Sequence, residues 1–323
     1  MKVCIVGGAG FIGSHFTDRL LADPSTEAVT IYDNFSSGRE WHFEQHLADR
    51  RLHVVRAEVC DLPALTAAMQ GHDLVIHLAS NPDIARAMTD PRVDFDEGTA
   101  LTFNVAEAAR LAKVGEILYA SGSGVYGDLG ELEVAEDHGP MIPTSTYGAS
   151  KLAGEALLAS YATMFGIAAT VFRFGNVVGP RQTHGVGFDF IRRLRRKPEV
   201  LEILGDGSQS KSYIHVDDVV GAVLLMRATR QQTFEAFNVA TGDYITVTEI
   251  ALLALEVLDL TENTTELRYS GGDRGWKGDV PIVRLSTERV RSRGWTCKRT
   301  SEEALLQAMR ALIDDDQLGR LTS

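Results

Sequence analysis

The sequence predicts a doubly wound α/β fold, a parallel sheet covered by helices on both faces. Three observations carry this. Short continuous apolar runs alternate with helical patterns through the first half of the chain. The first run leads directly into a glycine-rich turn that opens a helix. The second run ends on an acidic residue, Asp33.

The elements follow in order. "KVCIV" (Lys2–Val6) reads as the first strand, then a helix over Ile12–Leu21 and a strand over Val29–Tyr32. A third strand, His53–Arg56, precedes a helix over Leu62–Met69 and a strand over Leu74–Leu78. A helix near Thr99–Leu111, a strand at Ile117–Ala120, a helix over Tyr147–Phe165 and a strand at Ala169–Phe174 complete the series. Strands without polar alternation are buried on both faces. After Asn176 the rhythm breaks at "GNVVGPRQTHGVG", a loop by composition. Helices near Asp217–Met226 and Thr248–Leu258, a strand near Ala236–Val239, the loop "SGGDRGWKGDVP" and a polar C-terminal helix follow. The expected division is residues 1–176, with 217–240 returning to them, and a smaller α/β region over 177–323.

The 32 basic and 44 acidic residues leave a formal charge of −12, which argues against nucleic acid and anionic membranes as partners. The basic run Arg192–Lys197 reads either as a solvated helix face or as a lip that attracts an anionic substrate. Cys4, Cys60 and Cys297 lie far apart, so neither a disulfide framework nor a metal site is expected. No leader precedes the first strand and no apolar run approaches ~18 residues, so the expected compartment is a reducing cytoplasm.

The turn is Gly8-x-Gly10-x-x-Gly13, with Gly7 also in phase. Such glycines allow a tight turn and close approach of backbone to a pyrophosphate, with the helix N-terminus offering free N–H groups. Asp33, 20 residues beyond Gly13, suits the two ribose hydroxyls and repels a 2′-phosphate. The expected cofactor is NAD, held on a Rossmann-type unit. Tyr147 and Lys151 in "STYGASKLAGEAL" stand at i,i+4 on one helix face. A tyrosine is a poor base near neutrality. A neighbouring ammonium and a nicotinium charge favour its phenolate, so Tyr147 is the expected base, with its pKa lowered by Lys151.

Together with "YDNFSSG", "HLAS", "VYGD", "RFGNVVGPR", "LGDGSQSKSYIHVDD" and "RGWKGDV", these motifs identify a resemblance that covers essentially the whole chain. The sequence resembles the extended short-chain dehydrogenase/reductases, in the nucleotide-sugar epimerase/dehydratase branch, and most of all UDP-galactose/UDP-glucuronate 4-epimerases. The resemblance implies that Phe11 and Ile12 line the pyrophosphate, and that Asp33, Asn34, Ser36 and Gly38 hold the adenosine. Glu58 and Val59 would touch adenine, with Glu58 in a place usually taken by Asp. Leu78, Ala79 and Ser80 would border the nicotinamide ribose, and Phe174 would also face the cofactor. Asn176, Arg181, Lys211 and Arg274 would hold the substrate diphosphate, Lys211 standing where arginine is usual.

Two positions depart from the family pattern. The Ser or Thr expected three residues before Val125 is Gly122, with Ser121 and Ser123 beside it. Gly98 stands where relatives carry an asparagine. Two lost side chains near one pocket imply either a bulkier or differently held sugar, or reduced activity. Ser123, directly or through a water, is the expected substitute hydroxyl, the alternative being that Tyr147 accepts the proton directly. The Asp-Glu pair of 4,6-dehydratases is replaced by Ser123-Gly124, and the decarboxylases' glutamate is missing at Gly124. The expected function is therefore 4-epimerisation of a UDP-sugar through a 4-keto intermediate, in a homodimer built on the helices near Thr99–Leu111 and Tyr147–Phe165. Open alternatives are another epimerisation, a net redox reaction, or an NAD-binding protein with impaired chemistry. For a carboxylated sugar, Arg86 is a candidate donor, unless it is only an exposed arginine.

Overall fold

The computed structural model describes residues 1–81 and 84–320. Seven strands form the main parallel sheet: β1 (Lys2–Val6), β2 (Ala28–Asp33), β3 (Leu52–Arg56), β4 (Leu74–His77), β5 (Glu116–Gly122), β6 (Ala168–Phe174) and β7 (Phe234–Val239). Their spatial order is β7-β6-β5-β4-β1-β2-β3. The order reverses direction between β1 and β4, so the loops after these two strands splay apart at their carboxyl ends. β1, β4, β5 and β6 are almost wholly buried, which is why they read as uninterrupted apolar runs. β3 lies at the edge and is largely exposed, and its sequence LHVVR mixes polar and apolar residues accordingly.

The chain divides into two compact units. The first comprises Met1–Val125, Met141–Arg173 and Val220–Phe237. Within it run helices α1 (Phe11–Leu21), α2 (Leu62–Met69), α3 (Leu101–Ala112) and α4 (Thr146–Phe165). Ahead of α3 the short helix Arg92–Asp94 passes into a π-helical turn, Phe95–Ala100. The core between sheet and helices includes Val6, Tyr32, Val75, Val105, Ile117 and Leu158. Cys4 is buried there, and burial pushes its thiol pKa up to about 12, so it packs as a small apolar side chain.

The second unit comprises Tyr126–Pro140, Phe174–Val219 and the described residues from Asn238 onward. Helix α5 (Val186–Arg196) packs with helices Val247–Val257 and Ser301–Gln317 around Ile191, Leu194, Ile250, Leu305 and Met309. The C-terminal helix is thus amphipathic rather than simply polar. Leu305, Ala308, Met309 and Leu312 form its buried stripe at helical spacing, diluted in the sequence by acidic residues on the opposite face. Short strand pairs fix the loops here: Asn176–Val178 runs parallel to Tyr213–His215, and Ser210–Lys211 antiparallel to Ile245–Thr246. No helix among the described residues is long and apolar enough to cross a membrane.

Candidate active site

Between β1 and α1 the chain turns through Gly7, which holds φ at +83°. A Cβ there would lie 2.7 Å from the Ala79 amide nitrogen, and a Cβ on Gly13 2.6 Å from the Gly7 carbonyl oxygen. Only hydrogen fits at either place, so the turn is pressed against both α1 and the loop after β4. That loop is itself pinned, because the amides of Leu78 and Ala79 both donate to the Val6 carbonyl, at 2.8 and 3.0 Å. No side chain caps α1, so its first N–H groups, around Phe11 and Ile12, are left for an anion.

Asp33 closes β2 within reach of this turn. Its carboxylate accepts from the Ala9 amide at 3.0 Å and the Phe35 amide at 2.7 Å. Burial raises its pKa, and the two backbone donors oppose that rise. Each oxygen retains acceptor capacity for a hydroxyl. Next to it the Asn34 amide donates to Glu58 at 3.0 Å, and the Ser36 amide donates to Asn34 at 2.9 Å. Asn34, Ser36 and Glu58 therefore form one linked rim. Gly38 continues that loop against Ala9 and Asp33, and Val59 is buried in the core of this unit. This acidic, glycine-walled cradle fits a dinucleotide with an unphosphorylated ribose.

Ser145 caps α4, accepting from the Gly148 amide at 3.1 Å. Gly148 brings the loop after β5 close, since a Cβ there would lie 2.5 Å from the Gly124 carbonyl oxygen. One turn along, Lys151 donates from Nζ to the Ala120 carbonyl at 2.9 Å. Its ammonium lies 5.5 Å from the Tyr147 ring and 5.2 Å from the Tyr119 ring. Burial lowers its pKa to about 8, with Asp94 and Glu155 opposing.

Tyr147 departs from the sequence expectation. Burial pushes its pKa above the ordinary tyrosine value, the Ser80 hydroxyl pulls it down by hydrogen bonding, and the Asp94 charge pushes it up. Lys151 spends a hydrogen on Ala120 rather than on the phenol, so desolvation sets the direction in the chain alone. Asp94 was not visible as a site residue in the sequence. It is 1% exposed and receives hydrogen bonds from Asn81 at 2.9 Å and Thr146 at 2.6 Å. Its partners lie 13 and 52 residues away, beyond any local pattern.

The loop after β5 treats its residues unequally. Ser121 is buried and donates to Glu155 at 2.6 Å, and Glu155 is also paired with Arg173 at 2.6 Å. Ser123 is partly exposed, and no side-chain hydrogen bond to another described residue is found for it. A Cβ added at Gly122 meets nothing within 4 Å, so the space for the missing side chain is open. Gly98 differs, and the expectation of two emptied positions is corrected there. A Cβ on Gly98 would lie 2.6 Å from Ser150 Oγ, so a serine already occupies that room.

In the second unit, Lys211 pairs with Asp279 at 2.6 Å. Arg274 pairs with Asp128 at 2.6 Å and donates to the Asp279 carbonyl at 2.9 Å. The Asn176 amide reaches the Ser212 carbonyl at 3.4 Å, and Arg181 adopts φ +66° in the loop beyond it. Lys211 and Arg274 are thus cations balanced by carboxylates, whose place an anion can take. On α5, Arg195 pairs with Asp316 at 2.6 Å beside a cavity of about 340 Å³ also lined by Arg192 and Arg196. In the first unit, Arg86 is half exposed and lies 3.5 Å from both Asp90 and Glu97.

Comparisons with known proteins agree with this geometry. Residues 3–240 match the NAD dependent epimerase/dehydratase family. A UDP-glucose 4-epimerase of Mycolicibacterium smegmatis is 35% identical over 249 residues, 75% of this chain and 78% of that protein. A crystal structure of UDP-galactose 4-epimerase is 37% identical, with a TM-score of 0.86 over 98% of this chain and 99% of the other. The Thermus thermophilus UDP-glucose 4-epimerase, solved in complex with NAD, is 28% identical with a TM-score of 0.85 over 97% of this chain and 99% of the other. The chain belongs to the NAD-dependent epimerase/dehydratase family.

Proposed function

We propose that this chain is an NAD-dependent 4-epimerase of a UDP-sugar, with UDP-glucose/UDP-galactose or UDP-glucuronate/UDP-galacturonate as the substrate pair. The observation that carries the reading is the Tyr147–Lys151 pair beside a loop whose residues 122–124 are Gly-Ser-Gly. Expelling water from the sugar needs an acid and a base on that loop, and it offers no carboxylate. Epimerisation needs one base, a bound oxidant and a sugar free to turn.

The glycine turn, the open N-terminus of α1 and Asp33 would hold NAD, which supplies a hydride acceptor that becomes the donor on return. Lys151 would hold the nicotinamide ribose and favour the phenolate. Tyr147 would take the C4 hydroxyl proton and later give it back. Because the sugar leaves at its starting oxidation level, NAD is not consumed. Asn176, Arg181, Lys211 and Arg274 are the proposed ligands of the substrate diphosphate, displacing the carboxylates of Asp279 and Asp128. We further propose a cytoplasmic homodimer. Phe103 and Leu111 on α3 and Met164 and Phe165 on α4 are all exposed, an apolar face that a second copy would cover.

The test is incubation of UDP-sugars with the protein and catalytic NAD, read by mass spectrometry and proton NMR. A product of unchanged mass inverted at C4 is expected, and it is lost in Tyr147→Phe. Loss of water or carbon dioxide, or stoichiometric consumption of NAD, would overturn the reading. NAD binding without turnover of any sugar would instead favour the impaired protein.

A further inference from the structure

We propose that Tyr119 is the positioning residue for Lys151, its buried ring face seating the ammonium beside Tyr147 and keeping it charged. The kinetic consequence rests on the epimerase reading above, while the contact itself does not. Tyr119 lies in β5 and is 1% exposed. Lys151 Nζ stands over its ring, 5.2 Å from the centroid, and 5.5 Å from the centroid of Tyr147. A ring face attracts a cation at such a distance, and most strongly where water is excluded. Lys151 is 3% exposed, so water does little for its charge. A buried ammonium needs compensation. Lys151 forms no ion pair with another described residue. The two acids that act on it from a distance are committed elsewhere, Glu155 to Arg173 and Ser121, both at 2.6 Å, and Asp94 to Asn81 and Thr146.

The ammonium has three hydrogens, and the Ala120 carbonyl takes one at 2.9 Å. A ring face compensates charge without fixing the other two, which leaves them for the ribose hydroxyls that Lys151 is proposed to hold. The ring is itself held in place. A Cβ on Gly154 would lie 2.5 Å from the Tyr119 hydroxyl, so glycine there admits the phenol against α4. From β4, the His77 ring centroid lies 5.2 Å from that of Tyr119, with the planes 33° apart. Thr102 gives its hydroxyl hydrogen to the Gly98 carbonyl at 2.9 Å, so at 3.1 Å it accepts from His77 Nε2. Burial pushes the His77 pKa down to about 3, so this neighbour is neutral and sets no like charge near Lys151. Burial pushes the Tyr119 pKa up, so its ring stays a neutral phenol. Elements β4, β5 and α4 thus fix one aromatic plane against the amine.

The experiment compares wild type with Tyr119→Phe, Tyr119→Leu and a variant carrying trifluorophenylalanine at the same position. Each is assayed as NAD holoenzyme with UDP-galactose and UDP-glucuronate across the pH range. Fluorines draw electron density from the ring face while adding little bulk, so they weaken its hold on a cation and leave the packing. Tyr119→Phe keeps the ring and is expected to keep the alkaline limb of kcat where wild type has it. Trifluorophenylalanine and Tyr119→Leu are expected to move that limb to lower pH by roughly one unit, a tenfold stronger acid, with the rate retained on the acid side. A readout independent of turnover is NMR titration of isotope-labelled lysine in the cofactor-free protein, with Lys151→Met identifying the signal. The same order of shifts is expected there. A trifluorophenylalanine variant whose Lys151 titrates together with that of Tyr119→Phe overturns the proposal. A Tyr119→Leu rate lowered equally at every pH, with the Lys151 titration unmoved, also overturns it and leaves Tyr119 a packing role. A wild type that turns over no sugar overturns the epimerase reading, and the NMR series then decides the ring–ammonium contact by itself.

Discussion

Lys151 is the residue whose chemistry is most bent by its surroundings. Burial brings its pKa to about 8 from an ordinary 10.5. Below pH 8 it is charged, so the ammonium beside Tyr147 is present at neutrality. Above pH 8 the charge goes, and kcat is expected to fall on that alkaline limb. A pH–rate profile checks this, since Lys151→Arg should remove the limb. The stability sign is separate. Between about pH 8 and pH 10.5 the unfolded chain binds the proton and the folded chain does not, so this group's contribution to stability rises with pH across that window. Below pH 8 its cost is constant and at its largest. Urea denaturation at pH 7.5 and pH 10 should show that rise in wild type and not in Lys151→Met. The Arg173–Glu155 pair gives a second expectation. Both side chains are about 95% buried, so Glu155→Gln breaks a buried ion pair and should cost roughly 3–5 kcal/mol by urea unfolding. Residues of the cofactor turn were legible because their signal is local: glycines at fixed spacing and one acid at the end of the next strand. Asp94 was not, because it joins Asn81 and Thr146 from separate segments that only the folded chain brings together.

At the level of elements, the strands were readable from their apolar runs and the helices from their periodicity, with boundaries moving by a residue or two. What escaped were α5, the short strands Asn176–Val178, Val200–Ile203 and Glu266–Tyr269, and the wider π-helical turn at Phe95–Ala100, where Gly98 lies against Ser150. No local propensity marks such a turn. The helices α3 and α4 carry the element-scale prediction. They lie side by side, joined by a hydrogen bond from the Tyr161 hydroxyl to Glu107 at 3.0 Å. Their outward apolar residues Phe103 and Met164 are 45% and 71% exposed. If a second copy covers them, Phe103→Glu with Met164→Glu should give a monomer in sedimentation, while the wild type sediments as a dimer. A wild type that sediments as a monomer would remove the proposed interface.

At the scale of the whole molecule, NAD should act as part of the fold. A ligand that binds only the native state at about 100 times its Kd adds about 2.7 kcal/mol. Thermal unfolding should therefore move up by several degrees with NAD and by less with NADP, whose extra phosphate meets Asp33. Equal shifts with the two cofactors would remove Asp33 from its proposed role. The sheet order has another consequence, for the ribosome. β6 is made by residue 174, but its outer neighbour β7 begins only at residue 234. Through all the synthesis between them, β6 is an apolar strand with one unpaired edge, the kind that invites pairing with another nascent chain. Expression of this protein should therefore depend on chaperones that shield emerging chains, and truncations ending before residue 234 should aggregate rather than yield a smaller soluble domain.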